Sequence, residues 1–98
     1  MTKREIIYTK IKDKKSELQK LGVTDVGVFG SYARNEQKDS SDIDILIDFE
    51  PGKENFDNFM AVYDLFENIF QKEKVEVITK KGLSPHIGPK ILNEVIYV

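Results

Sequence analysis

Asp42 and Asp44 stand two residues apart at the entrance to the apolar run Ile45-Leu46-Ile47. A strand has a period of two, so both side chains share one face. Two carboxylates that close repel each other unless a cation lies between them, and hard oxygen donors of this kind suit Mg²⁺. Shortly upstream, Val26-Gly27-Val28-Phe29 runs into Gly30-Ser31 and then Tyr32-Ala33-Arg34. A buried strand that passes through Gly-Ser into helix-forming residues presents backbone N–H groups at a helix N-terminus, where anions bind. Either feature alone is common: Gly-Ser turns follow many strands, and most Asp-x-Asp pairs are solvated. The conjunction of phosphate cradle and carboxylate pair points to metal-assisted chemistry on a nucleoside triphosphate.

Positioning these residues requires a small set of elements. Ile7, Ile11, Leu18 and Leu21 form one apolar stripe, predicting a helix over 3–21 that Gly22 caps. A strand at 26–29 follows, then a short helix at 32–35 opened by Gly30-Ser31, and a polar loop from 36 to 41. The second strand spans 43–49 and is broken by Pro51-Gly52. Phe56, Met60, Tyr63, Phe66 and Phe70 repeat at helical spacing, predicting a helix over 57–70 whose aromatic stripe packs on the sheet. A third strand covers 75–79, and a final helix begins near Gly88 after a turn at Ser84-Pro85. His86, the only histidine, sits in that turn and reads as a surface or capping residue. The apolar end Val95-Ile96-Tyr97-Val98 either returns to the core or forms a patch that a partner covers.

These elements predict an α/β (α+β) single domain over 1–98: two layers, with a short mixed three-stranded sheet and helices packed on one face. At 98 residues the chain buries about two-thirds of its unfolded surface, a thin core that a partner surface would help. The absence of cysteine excludes disulfides, thiolate zinc sites and cysteine nucleophiles. The apolar patch Ile6-Ile7-Tyr8 is too short for a signal peptide or membrane span, predicting a cytoplasmic protein. A net charge of −2 argues against stable nucleic-acid binding. Its distribution is uneven, with seven bases against three acids in residues 1–20 and twelve acids against four bases in residues 35–76. The basic start reads as the solvated face of a helix, because no aromatics interleave the lysines. The acidic middle holds the proposed metal ligands.

Gly30, Ser31, Ala33 and Arg34, followed by Ser41, Asp42 and Asp44, resemble the motif of the minimal nucleotidyltransferases of the DNA polymerase beta superfamily. The resemblance covers nearly the whole chain and implies the nucleotidyltransferase fold. Asn35 stands where that family more often has Gly, and Asn also tolerates a left-handed backbone. The family's third carboxylate, usually Asp, corresponds to Glu76 within Val75-Glu76-Val77-Ile78, one methylene longer. Read without the family, Glu76 is an outward polar residue on a half-exposed strand.

The resemblance implies Asp42, Asp44 and Glu76 as catalytic residues and ligands of one or two Mg²⁺ ions, replaceable by Mn²⁺. It implies Gly30, Ser31, Arg34 and Ser41 as nucleotide-binding residues, with ATP as the nucleotide. For Arg34 two roles stand open, pairing with phosphate or bracing the loop before Asp42 through a carboxylate. The implied acceptor is a HEPN-type helical protein to which AMP is transferred, the chain acting as antitoxin. A catalytically silent module that neutralises the partner by contact, and transfer to a small molecule, are the alternatives; a homo-oligomer is compatible with each.

Overall fold

The computed structural model describes residues 1–98. Helices α1 (Lys3–Asp13) and α2 (Lys15–Lys20) precede strands β1 (Val23–Phe29) and β2 (Ile43–Phe49). Helix α3 (Phe56–Ile69), strand β3 (Val75–Thr79), a short 3₁₀ turn at Lys80–Gly82, helix α4 (Gly88–Glu94) and strand β4 (Ile96–Tyr97) complete the chain. The sheet has the order β3-β2-β1-β4, with β2 and β3 parallel and the other pairs antiparallel. No helix is long and apolar enough to cross a membrane.

Strand alternation divides the sheet into two unlike faces. Val26, Val28, Ile43, Ile45, Ile47, Val75 and Val77 point to the main core, where Ile7, Ile11, Leu18, Val62, Phe66 and Phe70 of the helical layer meet them. Phe29 and Leu46 point the other way and pack with Ile91 of α4 and, partly buried, Ile78, Leu83 and Val95. Asp42, Asp44 and Glu76 share the parity of Leu46 and Ile78, so the carboxylates lie on this second, lightly covered face.

Several expectations are corrected. The helix over 3–21 is two helices broken at Lys14, whose φ of −101° and ψ of 5° leave the helical region; Asp13-Lys14-Lys15 bury no side chain that would hold that turn. The expected helix at 32–35 is one turn, closed by Arg34 N–H donating to Gly30 C=O at 3.1 Å and ended by Asn35 at φ 58°. The left-handed backbone allowed to Asn35 is therefore used. Strand β1 begins three residues before 26, because Val23 is buried and pairs with Phe49. The sheet has four strands, since the C-terminal residues pair with β1 through Gly27↔Tyr97 and Val28↔Ile96. Helices do not keep to one face: α4 covers part of the other. The aromatic stripe on α3 packs on the sheet through Phe66 and Phe70, with Tyr63 against them and Val62 added, but its first member Phe56 is 74% exposed.

Candidate functional site

Gly30 follows β1 beside the start of β2, and its φ of 73° is left-handed. A Cβ there would collide with the Asp44 carboxylate. Glycine is thus needed for conformation and for space, and the carboxylate lies directly against the turn. The turn is anchored from beneath by Tyr32, fully buried in the main core. From the side, Arg4 of α1 donates through Nε to Tyr32 C=O at 2.8 Å and through Nη2 to Ala33 C=O at 3.1 Å. Neither anchor carries a sequence signal: Arg4 lies 28 residues from Tyr32.

Asp44 is paired with Phe29 on one side and Glu76 on the other. Burial, then the charges of Glu76 and Asp42, push its carboxyl up from 3.8 to about 6, with a hydrogen bond to Glu76 adding to the rise. Arg34 offsets this only as the smallest contribution. The three carboxylates therefore act on one another across the β2–β3 boundary. Glu76 is the most exposed of them, while Asp42 and Asp44 are partly covered. None takes part in any of the chain's ion pairs.

Ser31 is partly buried in the turn, and its C=O accepts Glu36 N–H at 2.8 Å. Ser41 serves its own loop, its Oγ accepting Lys38 N–H at 2.8 Å. Arg34 donates through Nε to Glu36 at 2.6 Å and through Nη1 to both oxygens of Glu94, at 3.1 and 2.9 Å. Glu36, then Glu94, raise the pKa of this guanidinium above its ordinary value. Glu94 also accepts the Gly30 N–H at 2.5 Å. Sequence reasoning missed Glu94, the last residue of α4, because nothing in Asn93-Glu94-Val95 distinguishes it from a solvated helix end.

The model of the nucleotidyltransferase domain family matches residues 9–98. The chain belongs to the nucleotidyltransferases. Among its relatives, MJ0435 of Methanocaldococcus jannaschii, to which protein adenylyltransferase activity has been ascribed, is 47% identical over 81 residues, covering 83% of this chain and 85% of that protein. The protein adenylyltransferase MntA of Thermococcus cleftensis is 36% identical over 98 residues, covering 100% and 97%. Among solved structures, one described as a minimal nucleotidyltransferase superposes with a TM-score of 0.82 at 27% identity, covering 97% of this chain and 95% of that one. A toxin–antitoxin structure with AMP-PNP superposes with a TM-score of 0.64 at 20% identity, covering 87% and 69%, and shares the fold. In this nucleotidyltransferase the Gly30 turn lies directly against Asp44, which pairs in register with Glu76 on the face opposite the main core.

Proposed function

We propose that this nucleotidyltransferase transfers AMP from ATP to a hydroxyl of a HEPN-type helical protein, acting as its antitoxin in the cytoplasm. The observation that carries the reading is the placement of Asp44 directly against the Gly30 turn and opposite Glu76 on the neighbouring strand, where burial and the charges of Glu76 and Asp42 push its carboxyl up to about 6. A cluster with no protein cation paired to it suits a hard divalent ion. The three carboxylates are not gathered closely enough to enclose an ion by themselves, so a bound ion would depend on substrate phosphates for further oxygen ligands, as is common for Mg²⁺. Asp42, Asp44 and Glu76 would hold it, and the bound metal would supply charge stabilisation to the attacking and leaving oxygens. The protein adenylyltransferase relatives and the AMP-PNP-bound toxin–antitoxin fold support the choice of ATP and of a protein acceptor.

The residues of the chain divide the work. Gly30 and Ser31 present the turn on which the triphosphate lies, with no side chain at Gly30 to hold it off Asp44. Arg34 is within reach of the same turn, and Ser41 fixes the loop that delivers Asp42. The acceptor oxygen forms a bond to the α-phosphorus while the bond to pyrophosphate breaks. Glu76 faces solvent, where the acceptor arrives, and can take the hydroxyl proton.

The test is transfer of label from α-³²P-ATP to the candidate helical partner with Mg²⁺. Wild-type protein should label the partner, and Glu76→Gln should lower the rate at least a hundredfold while the complex still forms, since the loss falls on the transition state. A wild-type chain that silences the partner with no label transferred would replace transfer with neutralisation by contact.

A further inference from the structure

Glu94 holds the donors that the preceding reading assigns to phosphate. Its carboxylate accepts the Gly30 N–H at 2.5 Å and faces both its oxygens to Arg34 Nη1. A carboxylate held by a backbone N–H and a guanidinium uses the same donor geometry that a phosphate would use. The Glu94 side chain is only 15% exposed, so the contact is more than a solvated surface pair. Beside it lies a cleft of about 230 Å³ lined by Phe29, Gly30, Arg34, Lys90 and Ile91 as well as Glu94. Lys90, one turn before Glu94 on α4, adds a second cation to that cleft.

We propose that Glu94 is a resident anion in the phosphate cradle, which a polyphosphate displaces from Gly30 and Arg34 in order to bind. This rests on the reading of the Gly30 turn as the triphosphate site and adds a residue that sets its affinity. Glu94 keeps Arg34 oriented over the turn when no nucleotide is present. Its negative charge, close to Asp44 through Gly30, competes with an entering phosphate for the Gly30 N–H and for Arg34.

The experiment is calorimetric titration of wild-type, Glu94→Gln, Glu94→Ser and Arg34→Gln proteins with inorganic tripolyphosphate and, separately, with Mg-ATP and AMP. Removing the resident charge should tighten tripolyphosphate about tenfold in both Glu94 variants, the difference between competing with a charged and with a neutral acceptor. Arg34→Gln should weaken every ligand. Unchanged or weaker tripolyphosphate binding in Glu94 variants that melt like the wild type would overturn the proposal and leave Glu94 as a brace. So would a failure of every variant to bind tripolyphosphate. Tighter tripolyphosphate binding by a protein that never transfers AMP would uphold it while the proposed reaction failed.

Discussion

Replacing Asp44 with Asn should stabilise the protein in the absence of divalent metal, and most strongly at neutral pH. The carboxyl rises from 3.8 to about 6 on folding, because folding buries it and brings Glu76 and Asp42 against it. A raised acid binds its proton more tightly when folded, so its ionisation penalises the folded state. The penalty is absent below the unfolded value of 3.8, grows as pH rises, and is complete above about 6. At ~1.36 kcal/mol per pH unit the full rise corresponds to about 3 kcal/mol. Asp44 is only partly buried, so solvent screening reduces this to about 1–2 kcal/mol. For a domain of this size that is a gain of roughly 5–10 °C in melting temperature. Thermal melts followed by circular dichroism in EDTA at pH 7.5 and 4.5 measure it, and the gap at pH 4.5 should shrink to about a third of its neutral value. An Asp44→Asn protein that melts at or below the wild type at pH 7.5, or a gap that does not shrink in acid, would refute the repulsive cluster.

Gly30→Ala forces a Cβ into the Asp44 carboxylate at a left-handed position, and should cost about 1–3 kcal/mol in urea unfolding while abolishing Mg-ATP binding measured by calorimetry. Arg4→Gln removes the charged donors to the Tyr32 and Ala33 carbonyls. It should destabilise by about 1–2 kcal/mol and speed hydrogen exchange across residues 30–36 more than across β2, as read by NMR.

The sequence by itself determined the elements whose information is local. Ile43–Phe49 and Val75–Thr79 appear as strands at the predicted residues, because an apolar run bounded by turn residues needs no distant partner to declare itself. Gly22, at φ 90°, closes the first helical region as its position predicts. The pairing of Asp42 and Asp44 on one face also follows from strand period alone.

Other features depended on long-range packing. Tyr32 lies inside a motif of small and polar residues and reads as the start of a short helix, with nothing local to say where its ring goes; the main core claims that ring. Ile96-Tyr97 reads equally as core or partner patch, and becomes a strand only because Gly27 leaves β1 without a side chain where Val95 and Tyr97 approach. Glu76 gains its relation to Asp44 from the parallel register of β3 on β2, which no single segment encodes. Glu94 reaches Gly30 across 64 residues of sequence, and its role exists only because Ile91 seats α4 on Leu46 and Phe29. Periodicity specifies which face a residue takes within its own element, whereas the burial of apolar surface between elements decides which distant residue stands opposite it.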